Sequence, residues 1–190
     1  MAKAAVLQFW LAKLRTQAAI LPSLAHLKTD FMGLTTCHPL FRSCGSSPWE
    51  VEKATTQARL LSGRFRLEAL TSHWVPWNKE GLCTLPGCWG TPASHRGTVI
   101  SFLMSCPSLT STRLSLEVYM RNFLQANPHL TQLVSECLQS DPAQFWIDCS
   151  TMAPIVRATQ VEGESVLFGL FKLTRQYCHT LYSKRCELLK

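Results

Sequence analysis

With 190 residues, 46% of them apolar and 16% charged, the chain has enough hydrophobic side chains for a buried core and is excluded from the disordered class. Nine cysteines, an odd number in a chain well above miniprotein length, argue against a disulfide framework and for a reducing intracellular setting, nuclear or cytoplasmic. The net charge of +7 is lopsided: residues 1–110 carry eleven Lys/Arg against five Asp/Glu and residues 111–190 carry eight against seven, so a polyanion would meet the first half.

The opening segment, roughly Ala4 to Leu27, spaces Val6, Trp10, Lys13 and Leu14 on one side and Leu7, Leu11 and Ala18 beside them, a helical repeat that Pro22 should end or bend. Lys3, Lys13, Arg15 and Lys28 all precede the first acid, Asp30, as in organelle leaders. The segment is nevertheless poor in Arg and Ser, and an ordinary amphipathic helix is the expectation. A loop follows through Gly33, Pro39 and Gly45. The next boundary is sharper: Ser47 can cap, Pro48 suits the first helical turn, Glu50 completes a capping box and Gly63 stands where a left-handed stop belongs, so the spacing predicts a helix over 48–62. Arg59, Arg64 and Arg66 gather at its end, where cations interact favourably with helix carbonyls and can also reach phosphates.

Residues 71–110 are rich in turn formers and hold Trp74, Trp77 and Trp89, expected as the small core of an irregular unit rather than as a stacking surface. Such a unit needs a staple to offset chain entropy. Cys83 and Cys88, separated by the tight Leu85-Pro86-Gly87 turn, are followed by His95 and Cys106, and thiolate and imidazole are the donors a tetrahedral zinc takes. The spacing is irregular, since ten residues lie between His95 and Cys106, and the alternative is three buried thiols and a surface histidine.

From Thr112 the pattern is almost wholly helical. Leu116, Tyr119, Met120, Phe123 and Leu124 share one face, and Leu130, Leu133, Val134, Cys137 and Leu138 another, with Asn127-Pro128 and Asp141-Pro142 as the boundaries. A short helix carries Phe145, Trp146 and Cys149. After Gly163 the longest candidate, Glu164 to Leu188, turns Leu167, Leu170, Phe171, Thr174, Tyr177, Cys178, Leu181 and Tyr182 inward and Lys172, Arg175 and Lys184 outward. Asp148 reads as a surface or helix-end acid, and His179 and Cys186 as incidental. The expected fold is therefore mainly α: an N-terminal helical segment over 1–70, a Cys/His knuckle over 71–110 and a small helical bundle over 111–190. No apolar run approaches the roughly eighteen residues that span a bilayer.

Catalysis is not expected. A cysteine nucleophile would need His95, His129 or His179 and a carboxylate such as Asp148 beside it, and nothing in the spacing brings them together. The chain has no nucleophile elbow, phosphate-cradling glycine loop or HExxH site.

The succession ATTQARLLSGRFRLEAL, HWVPW, GLCTLPGC, GTVISFLMSCPSLTSTR, DPAQFWIDCS and LFKLTRQYCHTLYSKR resembles the C-terminal region of non-LTR retrotransposon reverse transcriptases over nearly the whole chain. The resemblance implies a post-polymerase helical segment and a Cys/His zinc knuckle that binds template or target nucleic acid, with Cys83, Cys88 and Cys106 at matching ligand positions. The family's histidine stands five residues before the last cysteine, where this chain has Ser101. Either His95 substitutes, water completes the shell, or the site is weakened or lost. Polymerase and endonuclease motifs are absent from the sequence, so the expected capacity is binding of RNA or DNA, with Arg59, Arg64, Arg66 and Arg96 as contacts. The competing expectation is a helical remnant that offers an exposed apolar helix face to a protein partner.

Overall fold

The computed structural model describes residues 2–21, 24, 26–27, 38–68, 75–90, 95–159 and 163–190; Pro22, Lys28, Asp30, Gly33 and Trp74 lie outside them. The fold is mainly helical. Its α-helices are α1 (Ala2–Ile20), α2 (Pro39–Arg42), α3 (Pro48–Leu61), α4 (Thr110–Ala126), α5 (Thr131–Ser140), α6 (Pro142–Ile147), α7 (Ala153–Thr159) and α8 (Gly163–Leu188). Among the described residues there is no β-strand, only an antiparallel bridge between Leu82 and Arg96. No described helix is long and apolar enough to cross a membrane.

The boundaries follow the local chemistry. The Ser47 hydroxyl accepts the Glu50 amide at 3.3 Å, and Pro48, which has no N–H to lose, opens α3. At the other end Gly63 takes φ 65°, the Gly63 amide reaches the Leu60 carbonyl and the Arg64 amide reaches the Arg59 carbonyl, a complete Schellman stop. Asp141 caps α6 by accepting the Gln144 amide at 2.9 Å.

Helix α8 is the central post. It packs against α3, α4, α6 and α7, and Leu167, Leu170, Cys178 and Leu181 on it are buried. Each fully buried leucine of this kind contributes about 1.5–3 kcal/mol of transfer free energy. Trp146 of α6 stacks on Tyr177 of α8 at 3.6 Å between ring centroids and 9° between planes. Gln57 of α3 then ties the two together, donating to the Trp146 carbonyl at 3.1 Å and to the Thr174 hydroxyl at 3.3 Å. One apolar cluster includes Leu60 and Leu61, Cys83, Cys88 and Cys106, and Leu116 through Leu181.

Four expectations are corrected. Arg175 points inward, not outward: it is fully buried, donates to the Ser43 carbonyl and hydroxyl at 3.0 and 2.7 Å, and faces Glu50 at 3.6 Å. Asp148 is a helix-end acid, as one of its two expected readings had it, but it is buried and not at the surface; it caps the short turn Cys149–Met152 through the Ser150 amide and faces the equally buried His38 at 3.3 Å. His179 is not incidental, because it is buried against the Thr56 hydroxyl and the edge-on Trp49 ring, and that desolvation holds its pKa below the usual histidine value. Finally, α1 buries no apolar stripe: between residues 5 and 20 only Leu11, Leu14 and Ala18 are half-buried, whereas Val6, Phe9 and Trp10 are exposed.

Candidate metal centre and the adjoining arginine cavity

The described residues 75–90 and 95–109 are built largely by turns and short helical turns. Leu85-Pro86-Gly87-Cys88 closes with the Cys88 amide on the Leu85 carbonyl at 3.0 Å. Proline at the second position and Gly87 at φ 81° are what a type II turn requires. A short antiparallel ribbon crosses beneath it: the Cys83 amide reaches the His95 carbonyl at 2.7 Å and the Gly97 amide reaches the Gly81 carbonyl at 2.8 Å. The ribbon is braced by Asn78, whose amide group bonds both the N–H and the C=O of Leu82 at 2.8 Å. These bonds set Cys83 and His95 side by side, which explains how a histidine so far from Cys106 in sequence joins the same group.

Cys106 arrives by a different route. The Thr98 hydroxyl accepts the Ser101 amide, and the chain then unwinds into a π-turn over Ser101–Ser105, with the Cys106 amide on the Ser101 carbonyl at 2.7 Å. The widened turn rotates Cys106 into the core toward the other two thiols. Ser101 thus acts through its carbonyl, and its hydroxyl is engaged by Thr98 at 3.0 Å. The long helix and α4 hold this turn in place: the Tyr177 hydroxyl donates to the Leu103 carbonyl at 2.8 Å and Arg113 to the Cys106 carbonyl at 2.6 Å.

The donor atoms of Cys83, Cys88, His95 and Cys106 all lie within 4.8 Å of one another and could hold a metal ion. The Cys88 and Cys83 sulfurs lie 3.6 and 4.0 Å from that of Cys106. Four-coordinate zinc with bonds of about 2.3 Å spaces its sulfurs about 3.8 Å apart, so the donor set has the size of such a shell. Two backbone amides, of Leu85 and Ser108, point at the sulfurs of Cys83 and Cys106, each from two residues further on, and favour the thiolate form. The contact between the Cys83 and Cys106 sulfurs holds the Cys106 pKa down, while the same contact and burial push Cys83 up.

Around this group lies a polar frame that sequence spacing does not show. Glu68 Oε1 accepts from the Thr84 amide at 3.2 Å, the Thr84 hydroxyl at 2.7 Å and Arg185 of α8 at 2.6 Å. Gly97 lies so close beneath Glu68 that a Cβ there would collide with the carboxylate. Arg113, on the far side, fixes the Cys106 carbonyl. Replacing Arg113 by Ala is expected to weaken metal affinity about 10–100-fold, the usual effect of losing an outer-shell partner, with the helices intact by circular dichroism.

Beside the knuckle a cavity of about 510 Å³ is lined by Arg59, Arg64, Phe65, Arg66, Tyr182, Arg185 and Cys186. The Schellman stop explains the crowding, because the chain reverses at Gly63 and returns Arg64 and Arg66 alongside Arg59. Three of the four expected nucleic-acid contacts therefore share one cavity. Arg96 does not line it; it stands exposed on the ribbon opposite Leu82. The tryptophans are a correction. Trp77 and Trp89 meet edge to face at 5.7 Å and are 67% and 44% exposed, so they form no core.

The residues considered for nucleophilic chemistry are dispersed. Asp148 faces His38, whereas His95 joins the sulfur cluster and His179 bonds Thr56. Burial pushes the Cys149 and Cys178 thiols up, away from the thiolate a nucleophile needs. No protein-family model, curated protein or solved structure matches the chain.

Proposed function

We propose that the chain is a non-catalytic module that binds RNA or DNA, in which a zinc ion held by Cys83, Cys88, His95 and Cys106 stiffens a basic surface. The observation that carries this reading is the placement of Arg59, Arg64 and Arg66 around one cavity, joined to the Cys/His group through Arg185, Glu68 and Thr84. Arginine presents a planar fork suited to phosphate oxygens, and a concave arginine surface concentrates a polyanion. Zinc is favoured over other cations by three cysteine sulfurs and an imidazole whose donor atoms lie within 4.8 Å of one another. His95 takes the place left by Ser101, in keeping with a fragment of a non-LTR retrotransposon reverse transcriptase whose knuckle has been rewired rather than lost.

The test is a salt titration of RNA and DNA binding by the chain and by Arg59→Ala/Arg64→Ala/Arg66→Ala. All three residues are exposed, so the variant should fold. Affinity is expected to fall steeply with salt, and the variant should lower the slope by about two for a single strand, near 0.7 per phosphate contact. Equal, salt-independent binding by both proteins would instead favour a second reading, a helical protein-interaction remnant, for which the exposed Val6, Phe9 and Trp10 of α1 are the motivating observation.

A further inference from the structure

We infer that the nucleic acid is taken as a single strand, with its phosphates in the arginine cavity and an unpaired base stacked on the Trp77–Trp89 pair. This rests on the nucleic-acid-binding reading above and adds to it a ligand class and two recognition residues. Large indoles normally bury most of their area, yet these two stand out from a unit whose own apolar interior is supplied by Cys83, Leu85, Cys88, Phe102, Leu103 and Cys106. The pair is not needed to fill that interior.

Its position gives it a use. Trp77, together with Asn78 and Thr84, lines a shallow cavity of about 190 Å³ whose other walls include Arg66 and Arg185. Those same two arginines line the larger arginine cavity. A strand lying with phosphates at Arg59, Arg64 and Arg66 therefore runs directly toward the indoles. An edge-to-face contact occupies only one ring face, so the exposed pair retains an indole face for a nucleobase. The platform is also braced by hydrogen bonds. Trp77 sits in a turn that opens at Pro76 and closes at Asn78, which is bonded on both sides to Leu82, and the Trp89 amide is tied to the Leu85 carbonyl at 3.2 Å within the turn that carries Cys88.

The geometry discriminates between nucleic-acid forms. In a duplex the base faces are covered by their neighbours, so a duplex can use the arginines but not the indoles. An unpaired strand can use both, and base–aromatic stacking is sequence-tolerant because every base has a π-face. A protein docking on the same pair would not need the arginine track beside it, and the continuity with Arg66 is what favours the strand.

The experiment measures binding of the zinc-loaded full chain to an unstructured oligouridine and to a duplex of equal length at one salt concentration, with Trp77→Ala/Trp89→Ala and Trp77→Phe/Trp89→Phe as variants. The chain is expected to prefer the single strand. The alanine pair should weaken it about tenfold or more, leave duplex binding and the salt slope unchanged, and be rescued by the phenylalanine pair. Unaltered single-strand affinity in the alanine pair, with salt dependence kept, would overturn this inference and leave the nucleic-acid reading standing. Loss of self-association in the alanine pair with oligouridine affinity unchanged would likewise overturn it, assigning the indoles to a protein contact. Absence of salt-dependent binding to either probe would remove the underlying reading itself.

Discussion

On the proposed zinc reading, replacing Cys106 by serine is expected to abolish binding of one zinc per chain and to unfold the ribbon and turns around Cys83, Cys88 and His95. Cys106 is the hinge of the group: its sulfur lies 3.6 Å from Cys88 and 4.0 Å from Cys83, and its carbonyl is held by Arg113. A serine hydroxyl stays protonated at neutral pH, so three donors would remain, too few for the closed shell of a structural zinc. Structural zinc contributes about 10–16 kcal/mol of apparent binding free energy in peptides that lack any other support. Here part of the unit is also held by Phe102, Leu103 and Leu109 in the common core, so the helices should survive while the knuckle opens. The expected readout is loss of the metal from purified protein by elemental analysis, with new proteolytic cleavage confined to residues 75–109. Ser101→Ala is the control: only its carbonyl serves Cys106, so metal content should not change. Wild-type protein that is fully folded and metal-free would remove the zinc reading.

The elements written in local chemistry are those legible in the sequence. Ser47, Pro48 and Gly63 each act within four residues of themselves, and so the boundaries of α3 could be read directly. The Pro86-Gly87 turn and the Asp141 cap are of the same kind. Cys83, Cys88, His95 and Cys106 were identifiable as donors by type, but the reason His95 reaches Cys106 is not local. It depends on the ribbon pairing of Cys83 with His95 and on a π-turn that no periodicity announces. Arg175 shows the converse failure. A helical wheel assigns a charged residue to solvent, yet burial on α8 is decided by what the chain near Ser43 and Glu50 brings to that face. The exposed tryptophans failed for a related reason, because residue type gives an average burial and the neighbouring thiols and leucines had already filled the interior. Glu68, which joins Thr84 to Arg185 across more than a hundred residues, carries no sequence signal at all.

Asp148→Ala is expected to destabilise the chain by about 3 kcal/mol or more, because a buried polar pair broken on one side leaves the other group without compensation. The carboxylate serves two elements. Oδ1 accepts the Ser150 amide at 3.1 Å and so starts the turn after α6, while Oδ2 faces His38 Nε2 at 3.3 Å with both side chains nearly inaccessible. His38 Nδ1 accepts the Leu40 amide at 3.3 Å, which puts the ring proton on Nε2, the nitrogen nearest the carboxylate; the two approach to 3.3 Å without the alignment of a hydrogen bond. The pair thereby anchors the entry of α2 to the centre of the bundle, next to the fully buried Cys149. Alanine removes the cap and strands the Nε2–H in the core. In a domain of this size the loss corresponds to a fall in thermal midpoint of roughly 6–12 °C. Asparagine keeps an acceptor for Ser150 but turns an NH₂ toward the Nε2–H, so it should recover the cap and not the pair, giving an intermediate midpoint. A double-mutant cycle with His38→Ala isolates the contact. Coupling of about 1–3 kcal/mol is expected for groups sharing one buried interaction; additive losses would show that Asp148 acts as a cap alone.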